Sequence, residues 1–361
     1  MKNIMIGANR YIRGPGILMQ VGGLAEGLGK RALVIGGRTA LSKTLDTLTR
    51  SFQAKGVSFA LEYFTTEVCQ EQAYAFRDTC LREKANFIIG VGGGKALDIS
   101  KWVADLCRIP CITIPTCAST CACMVSLIVT YHENGLADKG IYSASSPWLC
   151  LVDTEIITQA PPRLMLSGIA DTLSKWPETH YAMRNAESGI FNYLTASLGK
   201  EIYDSLLEKC PEAMVDINSG CINSAMDEII DIIFFMSALV GNTAGNDFRL
   251  AIAHSIHDGL IEVNPNVVHT FLHGEKVGYG TLVQLALLAP EVSKAHLHRV
   301  HRLFRQWNLP TSITIFGLDG TDDSVNSLVR ASRGPKIQDG PSHTSFDDLK
   351  RAILDIESLT P

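Results

Sequence analysis

Short β-rich runs alternate with stretches of helical periodicity from residue 31 onward, and this alternation constrains the fold of the chain most strongly. The β-rich runs cover residues 31–37, 57–64, 86–94 and 111–116. The helical patterns between them cover residues 41–55 and 71–84 and a segment that starts at Ala96. Strands and helices in this order form a parallel sheet with helices on both faces. We therefore predict that the first part of the chain is a doubly wound α/β domain.

The pattern changes after residue 116. Residues 126–153 contain three β-rich runs with a turn at Asn134-Gly135, which predicts strands joined by hairpin turns. Pro161-Pro162 then interrupts the chain, and helical spacing dominates the rest of it. We predict an α/β domain over residues 1–160, followed by an all-α domain over residues 161–361.

Charge and hydropathy exclude several classes of partner. The formal net charge is -5, and no cluster of Lys and Arg is longer than a dipeptide, which argues against nucleic acid and membrane surfaces. The longest apolar run, 232–240, is too short to cross a bilayer, and the N-terminus has no apolar segment of the signal-peptide kind. We expect a cytoplasmic protein that binds a small molecule, forms a homo-oligomer and keeps its ten cysteines reduced.

The segment GVGGGKALDISK, residues 90–101, places four glycines between an apolar strand and a helix. Glycines at this point let backbone N–H groups approach a phosphate, and the N-terminus of the following helix favours an anion. The pattern matches neither the G-x-G-x-x-G fingerprint nor the P-loop, and a tight turn is the alternative explanation. We favour a phosphate-binding site that involves Gly92, Gly93, Gly94, Lys95 and Asp98.

A second polar loop, PTCAST at residues 115–120, follows the next strand. Loops at the carboxyl ends of adjacent parallel strands face the same crevice. The hydroxyls of Thr116 and Ser119 are therefore candidate cofactor ligands, although small polar residues are also ordinary turn formers.

The helical half contains a dispersed set of metal-ligating residues. Asp171 lies in the small, apolar segment GIADTLSKW, His254 and His257 share one face of an apolar helix, and His273 precedes a glycine. Two histidines and one carboxylate suit a divalent metal with an open coordination position. Each histidine alone is more often a core or surface residue. The cysteines at 117, 121 and 123 lack the paired spacing of zinc knuckles, so we do not predict a cysteine metal site.

Five segments in this order, GGGKALD, PTCAST, GIADTLSKW, AHSIHDGL and HGEKVGYGTL, resemble the glycerol dehydrogenase branch of the iron-containing alcohol dehydrogenase family. The resemblance covers nearly the whole chain. It implies a dehydroquinate synthase-like architecture and hydride transfer between a nicotinamide cofactor and a small hydroxylated or oxo compound. It also implies that Asp171, His254 and His273 hold a catalytic metal, usually zinc in this branch and iron or another divalent ion elsewhere. The cofactor residues that it implies are Gly94, Lys95, Thr116, Leu127 and Tyr131.

Two departures from the glycerol dehydrogenase pattern bear on specificity. Cys121 stands where those enzymes have an Asp that contacts the substrate. Gly37 followed by Arg38 stands where NAD-preferring members have an Asp that binds the ribose, so NADP(H) becomes acceptable or preferred beside NAD(H). Alternatively, Arg38 simply faces solvent. Both departures resemble the hydroxycarboxylate dehydrogenase subgroup, which reduces 2-oxo acids.

Two cations are candidates for binding the carboxylate of such a substrate, Arg249 and Lys175. A structural ion pair is an equal alternative for Lys175. His257 is a candidate proton relay, with helix capping or packing as the alternative. We therefore predict a metal-dependent, NAD(P)-linked oxidoreductase for 2-oxo and 2-hydroxy acids. A polyol dehydrogenase, a sugar-phosphate cyclase-type lyase and a binding protein without turnover are the other hypotheses.

Overall fold

The computed structural model describes residues 4–132, 136–184, 186, 189–217, 224–248, 250–289 and 291–359, without the side chains of 214–217, 246, 247, 335 and 336. The chain divides into two compact units. The first comprises Met1–Pro162 and Pro211–Ala238, and the second comprises Arg163–Cys210 and Leu239–Pro361. A segment from beyond residue 160 thus belongs to the first unit. The domain limits predicted from the sequence stay a prediction.

A parallel six-stranded sheet forms the centre of the first unit, which confirms the predicted fold class. Its strands lie in the order β1-β8-β5-β4-β2-β3. The strands of this sheet are β1 Tyr11–Gly14, β2 Arg31–Gly36, β3 Ser58–Tyr63, β4 Phe87–Gly92, β5 Cys111–Pro115 and β8 Leu149–Asp153. The helices of Met1–Pro162 are α1 Val21–Leu24, α2 Arg38–Gln53, α3 Gln70–Arg82, α4 Gly94–Cys107 and α5 Thr154–Thr158, with 3-10 turns at Ile17–Gln20 and Cys121–Cys123.

Alternate residues of the central strands pack on opposite faces of the sheet. Val34 and Ile89 contribute to the core that includes Phe52 of α2, whereas Ile35 and Ile88 contribute to the core on the other face. Strands that are buried on both faces need apolar residues at every position, which is why they lack hydrophobic alternation in the sequence.

An antiparallel hairpin lies outside the main sheet, with β6 at Leu127–Tyr131 and β7 at Ala137–Tyr142. This hairpin was expected, but the prediction that Leu149–Asp153 also belongs to a hairpin is wrong. That strand, β8, pairs in parallel with β1 and β5. All five of its residues are buried, as in the interior of a parallel sheet. The predicted turn at residues 134–135 lies outside the described residues.

Beyond residue 161, the part of the chain that the structure describes contains helices and no strand, as the fold prediction expected. These helices are α6 Pro162–Leu173, α7 Lys175–Met183, α8 Ile190–Ile217, α9 Ser224–Asp231, α10 Ser237–Phe248, α11 Ile252–Val263, α12 Val267–Thr270, α13 His273–Leu287, α14 Lys294–Gln306, α15 Asp322–Ser332, α16 Pro335–Gln338 and α17 Phe346–Glu357. A π-helical segment lies at Ile232–Met236 and a 3-10 turn at Ile313–Phe316. Within the described ranges, none of the helices combines the length and the apolar character that crossing a membrane requires.

Candidate functional site

Three loops follow the carboxyl ends of neighbouring strands in the first unit. β2 ends at Gly36, directly after Ile35, which pairs with Gly90 of β4. β4 in turn ends at Gly92, which pairs with Pro115 of β5. The chain order reverses here, because β3 lies on one side of β2 and β4 on the other. Open parallel sheets bind ligands at the carboxyl edge beside such a reversal. The loops that carry the predicted cofactor residues 37–38, 92–95 and 116–119 share this edge.

The turn between β4 and α4 leaves little space for side chains at Gly92 and Gly94. Gly92 has a φ of +143°, which residues with a Cβ rarely adopt. A Cβ on Gly94 would lie 3.1 Å from Thr120 Oγ1, and a Cβ on Gly93 would lie 3.5 Å from Cys117 Sγ. The first turn of α4 contains no acidic residue, so its free N–H groups favour an anion. Gly92, Gly93 and Gly94 thus form a phosphate cradle, which fits a phosphate group of a dinucleotide.

Lys95 lies beside the glycine turn. Its ammonium forms an ion pair with Glu67 and lies 4.3 Å from the centroid of the Tyr131 ring. The structure therefore brings two predicted cofactor residues, Lys95 and Tyr131, next to each other. Three further predicted cofactor residues are half-buried in this unit, namely Thr116, Ser119 and Leu127.

Asp98 has a different environment from these residues. It is only 5% exposed, its Oδ1 lies 2.8 Å from Lys101 Nζ, and its Oδ2 accepts a hydrogen bond of 2.9 Å from the N–H of Val129. The carboxylate thus contacts the protein's own chain. Its direct contact with a cofactor stays a prediction.

Gly37 and Arg38 begin helix α2 at the end of β2. A Cβ on Gly37 would meet only the carbonyl oxygen of Phe64, at 4.0 Å, so a larger residue would fit there. The exposed Arg38 guanidinium lies 4.7 Å from the centroid of the Tyr63 ring. This stacking holds a cation at the strand end where the sequence analysis places the adenosine ribose.

Close helix contacts assemble a second cluster of functional residues in the second unit. Gly274, in the first turn of α13, packs on α6, because a Cβ there would lie 1.8 Å from the carbonyl oxygen of Ser167. Gly280 packs on α11 in the same way, with a Cβ that would lie 2.3 Å from the carbonyl oxygen of Ala253. These contacts bring His273, the first residue of α13, to the helices that carry Asp171 and His254.

The three predicted metal ligands lie together. Nε2 of His254 and Nε2 of His273 are each 3.5 Å from Asp171 Oδ1, and the three ligand atoms lie within 4.8 Å of one another. Asp171 Oδ1 is buried and has no hydrogen-bond partner among the described residues. A buried, unpartnered carboxylate oxygen facing two imidazole nitrogens fits a divalent cation, and three protein ligands leave a coordination position open.

Electrostatic interactions favour the charged forms of Asp171 and His254. Burial opposes the ionisation of Asp171, but the Lys175 ammonium and the imidazoles of His254 and His273 outweigh it and hold the pKa of Asp171 well below its usual range. Burial also opposes the charging of His254, but the Glu178 carboxylate and Asp171 raise the pKa of His254 to about 9. The negative potential that attracts a proton to His254 also favours a divalent ion.

Glu178 belongs to this site, and the sequence analysis missed it. Its carboxylate is fully buried. Oε2 lies 2.8 Å from His254 Nδ1, and Oε1 accepts hydrogen bonds of 2.8 and 3.0 Å from the N–H groups of Ala251 and His254. An acceptor at Nδ1 directs the other nitrogen, Nε2, toward a metal. Glu178 follows Asp171 by seven residues, a spacing of about two helical turns, and this spacing could have indicated from the sequence that the two carboxylates lie on the same side.

His257 contacts a predicted metal ligand rather than Asp171. Its Nε2 lies 3.1 Å from His273 Nδ1, and its Nδ1 lies 2.8 Å from Asp258 Oδ1. Burial, together with the positive charge of His273, lowers the pKa of His257 to about 3. A neutral His257 can accept a hydrogen bond from His273 Nδ1–H. The side chain of Asp258 is 76% exposed, so the chain of contacts from His273 ends at solvent.

Comparison with known proteins identifies the family. The sequence profile of iron-containing alcohol dehydrogenase matches residues 8–154. Glycerol dehydrogenase of Pseudomonas putida is 31% identical over 359 residues, which cover 97% of this chain and 96% of that protein. The chain belongs to the iron-containing alcohol dehydrogenase family.

Other members extend the comparison. Hydroxycarboxylate dehydrogenase A of Escherichia coli is 31% identical over 339 residues, which cover 91% of this chain and 90% of that protein. The crystal structure of glycerol dehydrogenase from Schizosaccharomyces pombe matches with a TM-score of 0.88 at 26% identity and covers 99% of this chain and 91% of that one. The protein is an oxidoreductase that acts on CH–OH groups of a small-molecule substrate.

The structure describes two of the three predicted substrate residues. Lys175 is 8% exposed, and its Nζ lies 3.9 Å from Asp171 Oδ1, in the second unit. Cys121 is half-buried in the 3-10 turn before β6, in the first unit. Arg249 lies outside the described residues. Lys175 therefore lies at the metal-ligand cluster within the second unit.

Proposed function

We propose that this enzyme is a metal-dependent, NAD(P)-linked dehydrogenase of small 2-oxo and 2-hydroxy acids. The observation that carries the proposal is the position of Lys175, a buried cation 3.9 Å from Asp171 Oδ1. A cation at this point attracts an anionic substrate, whereas a neutral polyol gains little from it. Cys121 supports the same reading, since a thiol there does not repel a carboxylate as the Asp of glycerol dehydrogenases would.

Asp171, His254 and His273 would hold the divalent ion, zinc or iron, which when bound supplies a Lewis acid for the substrate oxygen. Glu178 orients His254 through Nδ1, and Lys175 binds the substrate carboxylate. His257 accepts the Nδ1–H of His273 and connects it with Asp258, which is the path that we propose for a proton. Asp171 and Glu178 are buried, whereas the side chain of His273 is 42% exposed.

The first unit would bind the dinucleotide, which supplies or accepts the hydride. The cradle of Gly92, Gly93 and Gly94 would receive its phosphates, and Lys95 and Tyr131 would lie along it. Arg38 would attract a 2'-phosphate, because no carboxylate occupies position 37 to repel one. NADP(H) is accordingly our proposed cofactor beside NAD(H).

Glycerol or another polyol is the second candidate substrate, and the names of several relatives favour it. The two candidates separate in a steady-state assay of nicotinamide absorbance with a panel of 2-oxo acids and with glycerol, using both cofactors. We expect a higher kcat/KM for the best 2-oxo acid. Glycerol oxidation without any reduction of 2-oxo acids would refute the acid proposal and leave a polyol dehydrogenase.

Lys175→Met tests the assigned cation directly. Truncating one partner of a buried charged contact costs about 2 to 5 kcal/mol, so kcat/KM for the acid should fall roughly 30-fold to several thousand-fold. Reduction of a neutral aldehyde should fall far less. Metal content must be measured alongside, because Lys175 also neighbours Asp171. Lys350→Met, which breaks an ion pair with Asp322 elsewhere in this unit, is the matched control. Equal losses on acid and aldehyde would show that Lys175 has a structural role.

A further inference from the structure

Lys101 is deeply buried, which is unusual for a lysine. Its side chain is 1% exposed, in the middle of α4. Lysine is rarely buried to this extent unless its charge is compensated. The interactions that compensate it come from Asp98 on the same helix and from backbone carbonyl groups of residues 122–127.

The Nζ of Lys101 donates three hydrogen bonds to backbone carbonyl groups. The acceptors are Ala122 at 2.9 Å, Val125 at 2.9 Å and Leu127 at 2.6 Å. An ammonium group has three N–H bonds, so these carbonyls use its full donor capacity. They belong to the chain that runs from the 3-10 turn at Cys121–Cys123 into β6. The ammonium thus joins three carbonyl groups of this segment to α4.

Asp98 completes the attachment from the same helix. Its Oδ1 lies 2.8 Å from Lys101 Nζ, and its Oδ2 accepts the N–H of Val129 at 2.9 Å. Thr113 of β5 adds a hydrogen bond of 2.7 Å to the carbonyl oxygen of Cys123. Helix α4 and strand β5 therefore both hold the segment 121–129, whose strand β6 also pairs with β7.

The position of α4 relates these contacts to the proposed binding of the dinucleotide. The helix begins at Gly94, in the proposed phosphate cradle, and Lys101 lies two turns further on. The segment that it holds carries Cys121 and Leu127 and leads to Tyr131. One helix consequently connects the cradle to the loop with the other proposed ligand residues.

We propose that Lys101 is a positioning residue that holds segment 121–131 in the conformation that binds the dinucleotide. The inference rests on the proposed cofactor binding by this unit. Lys101 does not contact the cofactor itself. Without it, the binding-competent conformation of the segment becomes one of several, and the apparent Kd rises in inverse proportion to its population.

The test is Lys101→Met in the full-length protein, which keeps the length of the side chain and removes its charge and N–H groups. Titration of nicotinamide fluorescence with NADH and with NADPH gives the two Kd values. We expect both to rise at least about tenfold, which corresponds to a competent population of about one tenth or less. Metal content, which reports on the second unit, should not change. Amide hydrogen exchange of residues 121–131 without cofactor should become faster.

Ser51→Ala is the matched control in the same unit. The Ser51 hydroxyl is buried at the end of α2, at the opposite edge of the sheet, where it accepts the N–H of Gly22 and donates to the carbonyl oxygen of Met19. Its removal should lower the melting temperature without changing either Kd by more than about twofold, since the lost bonds support other segments.

The outcomes separate this inference from the proposed function. A folded Lys101→Met variant with Kd values within twofold of wild type would overturn the positioning role. If that variant does not fold, Asp98→Asn takes its place. Because Asp98 is itself a candidate cofactor residue, amide exchange of residues 121–131 then decides: we expect faster exchange together with Kd values at least threefold higher, and unchanged exchange would overturn the positioning role. Failure of the wild-type protein to bind either nucleotide would instead refute the proposed function.

Discussion

Replacement of Glu178 by Gln should weaken metal binding in a way that depends on pH. Glu178 Oε2 lies 2.8 Å from His254 Nδ1, so the carboxylate keeps a proton on Nδ1 and leaves Nε2 for the metal. The amide of Gln keeps the size of the side chain but can place an NH2 group at this position. His254 would then accept through Nδ1 and carry its proton on Nε2, where the metal would bind.

The magnitude follows from two opposing effects. Loss of such an orienting partner weakens metal binding about 10-fold to 100-fold, or roughly 1.4 to 2.7 kcal/mol. The wild-type protein, however, must release a proton from His254, whose pKa is raised to about 9. Its apparent affinity should therefore rise about tenfold per pH unit from pH 7 to pH 9. In the variant the pKa of His254 falls toward its ordinary value of 6.5, and this dependence flattens.

Zinc titration of the metal-free protein against a chromophoric chelator at pH 7, 8 and 9 measures both effects. We expect the variant to bind about 10-fold to 100-fold more weakly at pH 9 and to approach wild type at pH 7. Glu357→Gln is the control, because Glu357 also accepts three hydrogen bonds in this unit, from Tyr279, Ser312 and Ile313. Affinities within about threefold at pH 9, or parallel pH slopes, would refute the role of Glu178.

Two further substitutions test other parts of the account. Gly37→Asp should shift the ratio of the kcat/KM values for NADPH and NADH toward NADH by about tenfold or more, because the new carboxylate would repel the 2'-phosphate and position 37 has space for the Asp side chain. An unchanged ratio would mean that this position does not contact the ribose. Gly274→Ala should destabilise the protein by about 1 to 3 kcal/mol or more and lower its metal content, because the new Cβ would lie 1.8 Å from the carbonyl oxygen of Ser167. Gly241→Ala, with no atom within 4 Å of the new Cβ, is the control for thermal denaturation, and equal melting temperatures would contradict the close packing of α13.

Local patterns predicted the strands β2, β4 and β5 and the glycine turn after β4, because buried strands and tight turns leave a signal in neighbouring residues. The position of β8 could not be predicted in this way. Its apolar run fits a hairpin or a parallel strand equally well, and its partners, Tyr11–Gly14 and Cys111–Pro115, are distant in sequence. β1 itself was missed because four half-buried residues carry no clear alternation.

The functional residues likewise divide into those that the sequence indicates and those that only the packed structure shows. The family resemblance implied Asp171, His254 and His273, and the structure places them together although no local spacing joins them. Glu178 and Lys101 escaped the sequence analysis, since their roles depend on what a buried charge contacts. A buried lysine and an exposed lysine look alike in a helical pattern, and only the packed structure shows that Lys101 faces three carbonyl groups.

Removal and return of the metal tests the central claim most directly. The wild-type protein would be stripped with a chelator, reloaded with zinc or with iron, and assayed for nicotinamide oxidation with its best 2-oxo acid, beside Asp171→Ala, His254→Ala and His273→Ala. We predict that stripping abolishes turnover, that one of the ions restores it in the wild type, and that none of the three variants retains the metal or regains activity. Undiminished turnover by the stripped protein, or full metal occupancy in all three variants, would contradict the account.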